Sequence, residues 1–220
     1  MKHLLYFSII CSIMLSFVSS SCSSETNSKI ELTQEQKDSI QKAIKDSIRI
    51  SDSIALERKK GKEATIAKLS KNFRISKDEF SDYSWIYHKS TPEYTNINSI
   101  HLYFKKDSDG SVSNLRFRIQ YEDESWLFVE NIIFNIDGEN VTFIPGEMER
   151  DCGNGGRIWE WCDESASLNT SLIKEIANAK KVKMKLNGSQ YYDTRTISDK
   201  QLKGIKETLE YYEALGGSLN

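Results

Sequence analysis

The sequence predicts an α+β fold: a mainly antiparallel sheet of about seven to eight strands, a C-terminal amphipathic helix, and a long polar helix ahead of both. Three observations carry this. Leu115, Phe117, Ile119 and Tyr121 alternate with polar residues, as do Val182, Met184 and Leu186, which is the period of a half-buried strand. Asp137-Gly138 joins the runs 126–136 and 140–144 as a tight hairpin signal. Leu202, Ile205, Leu209 and Tyr212 form one helical stripe behind a Ser198/Gln201 capping box, with Gly216-Gly217 as the stop.

In chain order the first element is an address. Met1-Lys2-His3 is a short basic start, and 4–18 is almost unbroken apolar chain. That run is shorter than the ~20 residues a spanning helix needs, so it reads as the apolar region of a signal peptide. Ser19-Ser20-Ser21-Cys22 follows and resembles the end of a bacterial lipoprotein signal peptide, although Ser19 stands where that motif prefers Leu or another aliphatic. The resemblance implies removal of 1–21 and lipidation of Cys22 as the mature N-terminus. Secretion without lipid is the alternative. Acyl chains contribute ~0.8 kcal/mol per buried methylene, so two or three of them hold a soluble domain on a bilayer. The expected location is extracytoplasmic, lipid-anchored to an outer membrane or a periplasmic face.

Residues 22–71 read as tether and stalk. The stretch 33–60 is charged and helical, capped by Thr33 and interrupted at Gly61, with a short helix over 63–71. Its stripe of Ile40, Ile44, Ile48 and Ile54 is too thin for a coiled coil, because Ser47 and Ser51 stand where leucine would be needed. Asp-Ser-Ile recurs three times, and the triplet is similar to the O-glycosylation motif of Bacteroidetes envelope proteins. That likeness implies glycans on Ser39, Ser47 and Ser53; chance recurrence in an Asp-, Ser- and Ile-rich helix is the alternative.

The folded domain is expected over 72–215, with a tail at 216–220. Further strands are expected at 84–89, 99–106, 157–162 and 191–197, and a short helix around Leu172, Ile173 and Ile176. Composition agrees with a folded body: 38% hydrophobic and 10% aromatic residues are too many for a disordered chain. With 30 basic against 32 acidic residues the net charge is -2, which lacks the basic excess of a nucleic-acid binder.

Chemistry-bearing residues are sparse. Cys152 and Cys162 are the thiols left once Cys11 and Cys22 are set aside, and an oxidising compartment favours a disulfide between them. If Gly153-Asn154-Gly155-Gly156 is a hairpin turn, however, Cys162 lies ~17 Å along the strand, beyond the ~7 Å limit between bridged Cα atoms. A bridge needs 147–156 to fold back as a loop; two partly buried thiols are the other outcome.

His88 and His101 would face each other if Trp85 and Tyr87 shared the core side with Phe104 and Leu102, but no third ligand is visible and no metal or cofactor is expected. Glu147, Glu149, Asp151, Glu160, Asp163 and Glu164 offer carboxylate pairs of the kind glycosidases use. Alternation puts Glu160 opposite Trp159 and Trp161, and the commoner arrangement buries the tryptophans and solvates the acid. Trp159, Trp161, Tyr191 and Tyr192, with Asp163, Asp193 and Arg195 nearby in sequence, suggest a platform for sugar rings.

Trp85, Leu102-Tyr103-Phe104, Trp126-Leu127-Phe128 and Ile158-Trp159-Glu160-Trp161 resemble a C-terminal domain of Bacteroidetes-type lipoproteins to which no activity is attached. The expected function is therefore a membrane-tethered binding or structural module whose partner is a glycan or another envelope protein. A carboxylate-dependent glycan hydrolase is the alternative.

Overall fold

The computed structural model describes residues 33–77 and 79–219, so the signal segment and Cys22 lie outside the described residues. Among the described residues the chain divides into two units, 33–51 and 52–219. Helix α1, Gln34–Leu69, opens with a reciprocal cap. Thr33 N donates to Gln36 Oε1 at 2.9 Å, and Gln36 N to Thr33 Oγ1 at 3.4 Å.

The expected break at Gly61 does not occur. A lone helical glycine costs only about 1 kcal/mol, and nothing lies within 4 Å of its missing Cβ to force an exit. Ser39, Ser47 and Ser53 are all exposed on this helix, spread over an arc of about 120° at 100° per residue. No described helix is long and apolar enough to cross a membrane.

The domain is α+β, built on two antiparallel sheets. Its strands are β1 Phe73–Lys77, β2 Tyr83–His88, β3 Ser99–Asp107, β4 Val112–Asp123, β5 Val129–Ile136, β6 Glu139–Phe143, β7 Glu149–Cys152, β8 Ile158–Ser165, β9 Val182–Gly188 and β10 Tyr192–Thr196. Helix α2 is Thr170–Asn178 and helix α3 is Asp199–Ala214. One sheet runs β1-β2-β3-β4-β8-β7 and the other β10-β9-β5-β6.

The sheets meet face to face. Leu102, Phe104, Phe117 and Ile119 come from the first, and Ile132, Phe134, Met184 and Leu186 from the second, all buried. Phe143 of β6 touches Phe117 of β4 at a ring separation of 5.8 Å. Helix α3 lies over β2 and β3 and against α2, adding Ile205 and Leu209 to the same core. The expected cap is present: Gln201 N donates to Ser198 Oγ at 3.3 Å. Gly216 and Gly217 end the helix by donating back to Glu213 O and Tyr212 O.

Two expectations about strands are corrected. β5 starts at Val129 rather than Trp126, because the amides of 127–129 donate to the Glu160 carboxylate instead of a neighbouring strand. The β2–β3 register pairs Ile86 with Phe104 and Tyr87 with Tyr103, so Ile86 and His88 face the core while Trp85 and Tyr87 face outward. His88 and His101 therefore occupy opposite faces of the sheet and cannot share a metal.

Candidate functional site

The outer face of the six-stranded sheet gathers most of the polar chemistry. Cross-strand pairing lines up Arg74 with Tyr87, Tyr87 with Tyr103, and Tyr103 with Arg116 in one row. The adjoining row is His101, Arg118 and Asp163, and the next holds Gln120, Trp161 and Glu149. Directly opposed residues share a face, so strand order alone collects these side chains from six strands.

Rings and guanidinium groups interleave there. Tyr87 and Tyr103 stack at 4.8 Å, Trp85 meets Tyr103 edge-on at 5.1 Å, and Arg74 lies 4.7 Å over Tyr87. Arg118 lies 5.6 Å from the Trp161 ring. Asp163 is the anion at the centre of this group. It accepts Arg116 Nε at 2.9 Å and Arg118 Nη1 at 3.1 Å, and the Tyr103 hydroxyl also donates to it. Burial and then the bond to Asp163 raise the Tyr103 pKa, so the phenol keeps its proton.

A loop over 91–97 roofs part of this face and is held by two side chains. Gln120 Nε2 donates to the carbonyls of Tyr94, Thr95 and Ile97 at 3.0, 3.1 and 3.0 Å. Arg74 Nη2 donates to those of Thr91 and Pro92 at 3.2 and 3.1 Å. Beneath the loop is a cleft of about 480 Å³ lined by Arg74, Ser76, Tyr87, Tyr94, His101 and Arg118, among others. His101 is 7% exposed, and burial, then the charges of Arg118 and Arg74, push its pKa down to about 3. The ring is neutral at any ordinary pH, with Nδ1 paired to Ser99 Oγ at 2.9 Å.

The chain matches no family model, no curated protein and no solved structure.

The sequence-derived site residues are redistributed. Trp159 and Trp161 stand half-buried on this outer face, whereas Glu160 between them is fully buried, which reverses the commoner arrangement. Glu160 is accommodated because it is saturated with donors. It accepts the backbone N–H groups of Leu127, Phe128 and Val129 at 2.8, 2.8 and 3.1 Å, and Arg150 Nε at 3.0 Å. A positive φ of 55° at Phe128 turns the three amides toward one carboxylate, an anion-binding nest.

Glu160 and Asp163 project to opposite faces of β8, so they cannot flank one glycosidic bond. Glu164 is spent on Gly146 N at 2.6 Å and Asn169 Nδ2 at 3.1 Å. Glu149 and Asp151 stand beside Trp161 and Trp159 in the β7–β8 pairing, and Glu149 Oε1 accepts Trp161 Nε1 at 3.1 Å. Tyr191 and Tyr192, 71% and 66% exposed, belong to the edge of the other sheet, where Lys185 lies 4.1 Å over Tyr192. Arg195 pairs with Asp193 on the same strand. The expected platform is thus divided between two sheets.

No disulfide forms. Cys152 pairs with Ile158 at the hairpin end, four residues short of Cys162, and both thiols are free. Cys152 is exposed, while burial pushes the Cys162 thiol up to about 12.

One constellation has no signal in the sequence. His88 bridges Ser90 Oγ at 2.6 Å through Nδ1 and Glu207 Oε2 at 3.0 Å through Nε2, the connectivity of a hydrolytic triad. Ser90 is half-buried beside His88 and Glu207, and Gly204 of α3 packs closely on it: a Cβ there would come within 2.5 Å of its hydroxyl oxygen. With Asn72 Nδ2 also donating to Glu207 at 2.9 Å, the group clamps helix α3 onto β2.

Proposed function

We propose that the chain is a membrane-tethered extracytoplasmic lipoprotein whose domain is a binding module, with the outer face of the six-stranded sheet as its ligand surface. The lipoprotein-like start supports the tether through acyl chains on Cys22. Glycans on Ser39, Ser47 and Ser53 of α1 accompany this reading, each hydroxyl being exposed on the helix. The observation that carries binding is the face itself. Trp85, Tyr87, Trp159 and Trp161 are only half-buried and interleave with Arg74, Arg116 and Arg118, while the apolar core is completed by other residues on the opposite face.

Flat rings beside guanidinium groups suit the faces and hydroxyls of sugar rings, which makes an envelope glycan the preferred partner. The test is an array of envelope glycans together with pull-downs from envelope extracts. Binding should weaken at least tenfold in Trp161→Ala and Trp159→Ala with the far-UV circular dichroism unchanged. An empty array and empty pull-downs would defeat the reading.

A further inference from the structure

The cleft under the 91–97 loop is more specific than a stacking face. We propose that this cleft takes a sugar-sized ligand carrying an oxyanion, a carboxylate or a phosphate, with Arg118 and Arg74 as its counter-charges and Tyr94 against its ring. The proposal rests on the outer sheet face being the ligand surface. The volume of about 480 Å³ lies within the ordinary range for small-molecule sites.

Four observations converge. First, Arg118 lines the cleft and its Nε is a buried donor with no hydrogen-bond partner among the described residues. That atom is closed to solvent, so an incoming oxygen would be met by the Nη groups, of which only Nη1 has a partner among the described residues, Asp163 at 3.1 Å. Second, the local charge is positive. The charged side chains lining the cleft are Arg74, Arg118 and the exposed Glu93, two positive against one negative. Third, the loop is fixed by five hydrogen bonds from Gln120 and Arg74, so the cavity is built before any ligand arrives. Fourth, Tyr94 is 69% exposed at the rim and has no place in the core.

His101 completes the floor as a neutral ring, able to meet a ligand hydroxyl without competing for the anion. Arg118 also faces Asp163, so the anion seats against a guanidinium already held in place on its other side.

The experiment titrates the purified full chain, in detergent micelles, with glucuronate, glucose 6-phosphate and glucose, using calorimetry. The three share one ring and differ in charge. At least one anion should bind tenfold or more tightly than glucose, and the stronger of the two identifies carboxylate or phosphate as the recognised group. Arg118→Gln should abolish that preference. Because Arg118 also supports Asp163, a second variant, Ser76→Trp, fills the cleft from an exposed position and should remove binding with the thermal midpoint unchanged. Equal affinity for glucose, no binding of either anion, or full binding by Ser76→Trp would overturn the proposal. If neutral glycans still bind through Trp159 and Trp161 in that case, the anion site falls and the binding module stands. If they do not, both fall.

Discussion

Glu160 Oε1 accepts the backbone N–H of Leu127 at 2.8 Å, tying a core position of the six-stranded sheet to the crossover that leads into the other sheet. The carboxylate takes three consecutive amides and Arg150, which is why an acid can be fully buried there. Glu160→Gln keeps the shape but turns an NH₂ group toward donors. The expected cost is ~3–5 kcal/mol, since breaking one side of a buried charged cluster strands the other. Urea denaturation measures it; a loss below ~1 kcal/mol would mean the crossover holds itself.

Three glycines should respond differently to alanine. At Gly188 a Cβ would lie 1.8 Å from the Leu127 carbonyl oxygen, a backbone atom that cannot step aside, so overpacking should cost ~1–3 kcal/mol or more. Gly204→Ala meets a hydroxyl that can rotate, at 2.5 Å from Ser90 Oγ, and should cost less while loosening the His88 clamp. Gly61→Ala has open space and helical backbone, and should stabilise α1 by about 1 kcal/mol. Thermal scans of the three variants check the order; equal effects would contradict it.

His101 makes stability depend on acid. Its folded pKa of about 3 lies below the unfolded value near 6.5, so below pH 6.5 the unfolded chain binds a proton that the folded one refuses. This contribution is complete above pH 6.5 and is lost at about 1.4 kcal/mol per pH unit as the pH falls toward 3. Comparing wild type with His101→Gln isolates it from the carboxylates. Parallel stability curves across that window would show that the ring is open to solvent.

The two domain thiols should label unequally. Iodoacetamide at pH 8 should modify Cys152 in the native chain and reach Cys162 only after denaturation, because burial holds that thiol near 12. Peptide mapping distinguishes the sites. Equal labelling of both would place Cys162 at the surface.

The α+β class, the β5–β6 hairpin and the capped last helix were legible because alternation, Asp137-Gly138 and the Ser198/Gln201 box are local signals. Which face of β8 turns inward was not. Ile158, Glu160 and Cys162 alternate with two tryptophans, and it takes Arg150 from the next strand together with amides more than thirty residues away to make Glu160 acceptable inside.

The same reason hid His88, whose partner Glu207 lies 119 residues on. β1 and β7 were missed because a short, mostly exposed strand such as Glu149-Arg150-Asp151-Cys152 carries no apolar period. The cleft was invisible because Arg74, His101 and Arg118 meet only through the register of three strand pairs.

The proposed tether decides whether the proposed binding face works at a membrane at all. The most direct measurement is growth of the producing cell with labelled palmitate, followed by purification of the wild-type chain and of Cys22→Ala. Label is expected on the wild type and none on the variant, with the wild type in the membrane fraction. An unlabelled wild type recovered free in the medium would contradict it.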